Sequence, residues 1–175
     1  MKKTLFVIAS LSLAISIVCV ASGFAEDIKP LLLPNPQVDS GRPLMQVLKD
    51  RSSSRSFSPE KLSAQALSNL LWAAFGINRP DTGKRTAPSA VNRQEIDIYV
   101  ATADGLYLFD AKSQSLKLIL SDDIRALTGR QDFVKEAPVN LIYVADFSRM
   151  GTATEKDKVL YLAADTGFVS QNLPC

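Results

Sequence analysis

The chain has 175 residues, 46% hydrophobic and 22% charged, with a formal net charge of +2. That length and balance fit one folded domain, and so small a charge gives no support for a nucleic-acid partner. Histidine is absent, which excludes a His-based triad, His metal ligands and a His general base.

The first 25 residues, MKKTLFVIASLSLAISIVCVASGFA, combine a basic start, an apolar run from Leu5 to Val20 and a small-residue exit at Gly23-Phe24-Ala25. This pattern predicts a secretory signal peptide over 1–25, cleaved after Ala25, and hence a periplasmic or otherwise exported protein. A retained anchor is the alternative reading, for which the apolar run is short. Bulky Ile17-Val18 ahead of Cys19 disfavours lipid attachment there. Cleavage removes Lys2, Lys3 and Cys19, leaving a net charge of zero and Cys175 as the only cysteine. The mature chain then has no stable membrane anchor and no internal disulfide, so packing, assembly or a bound ligand must hold the fold.

Residues 26–39 form a Pro-rich arm, expected to be a tether without a helix of its own. The domain proper is expected over 40–175. Leu44, Val47 and Leu48 recur at helical spacing, predicting a helix over Arg42–Asp50 with Asp39 or Ser40 as cap and Pro43 in its first turn. After the stretch DRSSSRSFS, a second helix is expected in LSAQALSNLLWAAFGIN, capped by Ser63 and ended by Gly76. Residues 79–94, RPDTGKRTAPSAVNRQ, read as a long turn-rich loop, which in a compact domain is usually functional or mobile.

The alternation in EIDIYVATADGLYLFD predicts a hairpin turning at Ala103-Asp104-Gly105, and SLKLIL a third strand. DDIRALTG is expected as a short helix, and APVNLIYVAD as a central strand covered on both faces. In the last helix, Val159, Leu160, Ala163, Ala164, Gly167 and Phe168 fall on one face, expected to be buried against a partner helix. The chain then stops at Leu173-Pro174-Cys175 without a cap or polar tail, which reads as a domain incomplete at its C-terminus.

Two stretches carry candidate chemistry. In RSSSRSF, Arg51 and Arg55 bring fixed cationic forks, and Ser52, Ser53 and Ser54 leave room for backbone N–H groups to reach an anion. Composition alone leaves two readings open, a phosphate cradle and a solvated turn. In KRTAPSAVNRQ, Ser89, Asn92 and Gln94 can both donate and accept, as the edge of a polar heterocycle requires; an ordinary loop stiffened by Pro88 is the other reading. Trp72 and Tyr99 are assigned to the core or an interface.

Together with LSNLLWAAFGIN, APVNLIYVAD and AADTGFVSQNL, in this order between Leu44 and Leu173, these stretches resemble the nitroreductase superfamily. Within it they are similar to the branch that includes the SagB-type, thiazole-forming dehydrogenases. The resemblance implies a three-layer α+β fold with a mainly antiparallel central sheet flanked by helices, working as an intertwined homodimer with FMN at the subunit interface. It implies that Arg51, Ser52, Ser53 and Arg55 contact the FMN phosphate and ribityl end, and that Pro88, Ser89 and Asn92 lie beside the isoalloxazine. Asn92 and Gln94 match polar positions of the family's loop. The implied reaction is hydride exchange between a reduced donor such as NAD(P)H and a small organic acceptor, with the chemistry carried by the flavin and no catalytic acid or base demanded of the protein. The family continues past the long helix with a Gly-rich turn, a strand and a basic segment that this sequence lacks. The competing expectation is therefore a degenerate scaffold that keeps the fold, or binds flavin, without turnover.

Overall fold

The computed structural model describes residues 29–173; the expected signal peptide over 1–25 and the Pro174-Cys175 end lie outside them. Strand β1 (Leu31–Leu32) is followed by α1 (Leu44–Asp50), α2 (Ala64–Phe75) and a small hairpin of β2 (Ile77–Arg79) and β3 (Lys84–Arg85). Then come β4 (Ile96–Thr102), β5 (Gly105–Asp110), β6 (Ser115–Leu120), β7 (Val139–Ala145) and α3 (Glu155–Gln171). Five strands make one antiparallel sheet in the order β1-β6-β5-β4-β7. The α+β class and antiparallel sheet are those expected from the sequence.

Alternation places Ile96, Ile98 and Val100 of β4 on the sheet face that also carries Phe109 of β5 and Leu116 of β6. Leu67, Leu71, Ala74 and Phe75 of α2, with Met150 and Leu162 and Val169 of α3, complete the core on that face. Ser63 caps α2 by accepting the Ala66 N–H at 3.1 Å. The Gly76 N–H closes the other end on the Trp72 carbonyl at 2.8 Å. Gly76 is needed for space: a Cβ there would lie 2.4 Å from the Trp72 ring.

The arm is docked, not free. Leu31 and Leu32 pair with β6, Leu33 is buried, and the Pro34 carbonyl accepts from Ser68 Oγ at 2.5 Å. Gln65 Nε2 donates to the Asn35 carbonyl at 2.9 Å, and the Gln37 N–H to Asn69 Oδ1 at 2.8 Å. The arm thereby covers an otherwise open strand edge with polar bonds to α2.

Three expectations are corrected, and a fourth is seen here within one chain only. Helix α1 begins at Leu44 because Pro43 has extended ψ of 135° and pushes Arg42 out of the helical region; neither Asp39 nor Ser40 caps it. The stretch DDIRALTG forms only a single 3-10 turn, Arg125–Leu127. There the Asp123 carboxylate takes the amide and guanidinium of Arg125, and Thr128 Oγ1 turns back onto the Arg125 carbonyl, so side chains compete with a helix.

Strand β7 is an edge strand: among the described residues it pairs only with β4. Its apolar run is continuous because Val139, Leu141, Tyr143 and Ala145 pack on the core while Ile142 and Val144 alternate to the other side, Val144 being exposed. Finally, α3 turns Leu162, Asp165 and Val169 inward and leaves Val159, Leu160, Ala163, Ala164, Gly167 and Phe168 exposed. Within one chain, the predicted burying face looks outward.

Candidate functional site

The chain leaves α1 at Arg51 in an extended conformation (φ −58°, ψ 119°), and every residue from Arg51 to Ser58 is exposed. The Arg55 guanidinium stands 5.9 Å from the centre of the Phe133 ring, and Phe57 lies 6.4 Å from the same ring. Phe133 is therefore a platform under this segment. Its own segment is pinned from β7: Asn140 Nδ2 donates to the Arg125 carbonyl at 3.3 Å, Thr128 Oγ1 at 2.8 Å and the Val134 carbonyl at 3.0 Å. Among the described residues neither Arg51 nor Arg55 has a carboxylate within ion-pair distance. Among the described residues, two guanidinium groups on a loop of small serines thus have no carboxylate partner. That is the donor set an external phosphate requires.

Arg51 also borders a cleft of about 600 Å³ with Leu48 of α1, Trp72 and Ala73 of α2, and Asn78 and Thr86. Thr86 donates its hydroxyl to the Trp72 carbonyl at 3.2 Å and stands two residues before Pro88. The 79–94 stretch contains structure the sequence did not disclose, the β2–β3 hairpin and two 3-10 turns, Pro80–Thr82 and Ala90–Asn92.

Beyond Pro88, which is exposed, the loop is knitted around one side chain. Gln94 Oε1 accepts from Arg85 Nε at 2.7 Å, and its Nε2 donates to the Gly83 carbonyl at 3.0 Å and to Asn92 Oδ1 at 3.2 Å. The Gln94 N–H donates to Ser89 Oγ at 2.9 Å. Its carbonyl accepts from Arg149 Nη1 at 2.9 Å, and Arg149 also grips both oxygens of Asp97 at 2.9 Å. This network holds a strained backbone. Val91, Asn92 and Gln94 have φ of 56°, 55° and 50°, in the left-handed region, where a β-branched residue such as Val91 is a genuine outlier. Each such residue costs on the order of 1–3 kcal/mol and persists only where its surroundings over-determine it.

Arg85 anchors the network from below. Its Nη1 donates to the Phe75 carbonyl at 2.8 Å and its guanidinium lies 4.5 Å from the centre of the Phe75 ring. Burial, then repulsion from Arg149, lowers its pKa from the usual arginine range. From above, Asp165 of α3 accepts the Ala90 N–H at 2.8 Å.

Of the residues singled out in the sequence, Arg51, Ser52, Ser53 and Arg55 are presented to solvent, and Ser89, Asn92 and Gln94 are brought together. No hydrogen bond joins the two loops within the described chain. The Gln94 amide is consumed inside its loop, whereas among the described residues the Asn92 amide donors and the Ser89 hydroxyl proton have no acceptor. Sequence reasoning missed Arg85, Phe133, Glu95 and Asp165. Asp165 alone left a trace, as a carboxylate interrupting the apolar run LAADTGF.

A domain of antiparallel sheet and helices, with a cationic serine loop after α1 and a strained polar loop before β4, is of the α+β class. Comparison with known proteins narrows it. The profile of the nitroreductase family matches residues 48–174. A candidate nitroreductase of Methanocaldococcus jannaschii, MJ1384, is 30% identical over 140 residues, covering 74% of this chain and 70% of that protein. The crystal structure of a candidate nitroreductase of Ralstonia eutropha superposes with a TM-score of 0.78 at 41% identity, covering 84% of this chain and 70% of that one. A chain of the Escherichia coli microcin synthetase McbBCD complex shares the fold, with a TM-score of 0.56 at 17% identity over 93% of this chain and 67% of its own. The chain belongs to the nitroreductase family. That membership implies oxidoreductase activity, in a family that typically uses flavin cofactors and is generally dimeric.

Proposed function

We propose that this protein is an exported, FMN-dependent oxidoreductase of the SagB-type branch, exchanging hydride between a reduced donor such as NAD(P)H and a small organic acceptor. The observation that carries the reading is the pair of exposed arginines, Arg51 and Arg55, without a carboxylate partner among the described residues, on a serine loop. Family membership supports the oxidoreductase class, and the motif order supports the branch. The basic and apolar opening of the sequence supports export to the periplasm or beyond.

In this reading Arg51 and Arg55 grip the FMN phosphate, with Ser52 and Ser53 donating to the phosphate and ribityl end. Pro88, Ser89 and Asn92 border the isoalloxazine, and Gln94 holds their loop in shape. When bound, FMN supplies the two-electron chemistry. The protein binds and orients it, which agrees with a chain that has no histidine. A homodimer brings the remaining contacts. The exposed apolar face of α3, with Val159 and Leu160 each 63% accessible, and the exposed Leu44 and Met45 of α1 are the surfaces available for it.

Arg55→Ala is expected to weaken FMN binding by about 1.5–3 kcal/mol, the scale of a lost charged hydrogen bond, in a fluorescence titration. An unchanged dissociation constant removes Arg55 from the site.

A further inference from the structure

Glu95 stands between the strained loop and β4 and is completely buried, yet neither carboxyl oxygen has a hydrogen-bond donor among the described residues. It faces Asp165 of α3, which is itself 3% exposed. Two ionised carboxylates cannot donate to one another, and an isolated buried carboxylate is too costly to persist. The pair is satisfied once a single proton resides in it. The facing groups are few. Arg93, on the same loop, is the cation that acts on Glu95, and its Nη1 is buried without a hydrogen-bond partner among the described residues. From the turn after β7, Asp146 gives its backbone N–H to the Glu95 carbonyl at 2.8 Å, while its carboxylate binds Ser148 and Arg149. Arg149 and Arg85 are committed to Gln94 and its neighbours. On β7, Tyr143 is half-buried and faces Ser170 of α3.

We propose that Glu95 and Asp165 form a single-proton carboxyl pair that positions the Ser89–Gln94 loop. The Glu95 O–H donates to the Asp165 carboxylate, whose other role is to accept the Ala90 N–H, so one proton ties α3, the loop and the start of β4 together. Loss of that proton places two negative charges against a single arginine and loosens the clamp on Ala90. Burial and the Asp165 bond both push the Glu95 pKa up. The folded chain therefore holds a proton that the unfolded chain has released, and stability falls as pH rises from the usual glutamate range through the folded pKa, then levels off. The link from this pair to cofactor affinity rests on the flavin reading above; the pair itself does not.

The test is the melting temperature of the full chain and of Glu95→Gln, without flavin, between pH 5 and pH 9, followed by FMN titrations from pH 7.5 to pH 9, where the phosphate is almost wholly the dianion. Glutamine keeps a donor for Asp165 but cannot ionise. The wild-type melting temperature is expected to decline with pH relative to that of Glu95→Gln. The wild-type Kd for FMN is expected to rise by up to about tenfold per pH unit above the pair's titration, with no such rise in Glu95→Gln. Parallel melting curves overturn the pair even if FMN binds. Diverging curves with no FMN uptake at any pH uphold the pair and overturn the flavin reading. If Glu95→Gln does not fold, Asp165→Asn, which can still accept from Ala90 and can donate to the Glu95 carboxylate, is expected to show a smaller pH slope; keeping the wild-type slope contradicts the proposal.

Discussion

Leu71→Ala is expected to lower the unfolding free energy by about 2–5 kcal/mol, the range for a fully buried leucine whose cavity collapses only in part. Leu71 is wholly inaccessible at the centre of α2, in the cluster that includes Ile98, Val100, Leu116 and Val169. The loss is large against the roughly 5–15 kcal/mol that holds a typical domain. Urea denaturation of the wild type, Leu71→Ala and Leu71→Met separates cavity from chemistry, since the near-isosteric methionine should cost less than about 1.5 kcal/mol. A Leu71→Ala loss under 1 kcal/mol would show that α2 does not pack on the sheet as described.

Gln94→Ala is expected to have the largest effect on the candidate site. It removes three side-chain bonds, one of them from the Arg85 guanidinium, and leaves Arg85 Nε without its acceptor. Losing a charged hydrogen bond in a partly buried site costs about 1.5–3 kcal/mol. The strained backbone at Val91 and Asn92 then loses the contacts that enforce it. FMN affinity should fall by more than tenfold, although Gln94 itself has no free amide group to offer a ligand. Gln94→Glu keeps the acceptor for Arg85 but cannot donate to Gly83, so an intermediate affinity is expected. Wild-type affinity in Gln94→Ala would mean that loop geometry does not matter to binding.

What could be read from the sequence follows the range of the forces involved. The Ser63 cap, the Gly76 stop and the β4–β5 hairpin are local devices, and each stands where its residues placed it. The edge position of β7 and the outward face of α3 depend on which neighbours the chain supplies, and apolar periodicity does not encode that. The candidate site divides in the same way. Arg51, Arg55, Ser89 and Asn92 stood out by residue type, and only the family resemblance gave them an expected role. The supporting residues did not stand out. Arg85 reaches Gln94 across nine positions, Asp165 reaches Ala90 across 75, and Phe133 meets Arg55 only through the fold.

In the proposed function this chain binds FMN through the arginine-serine loop and uses it to move electrons. Its most direct test is an anaerobic titration of the purified chain with FMN, followed by absorbance of the flavin band on adding a reductant and then an organic acceptor. Saturable uptake, bleaching by the donor and recovery of the band with the acceptor are expected. A chain that takes up no FMN contradicts the account, and one that binds flavin no donor can reduce is the inactive scaffold instead.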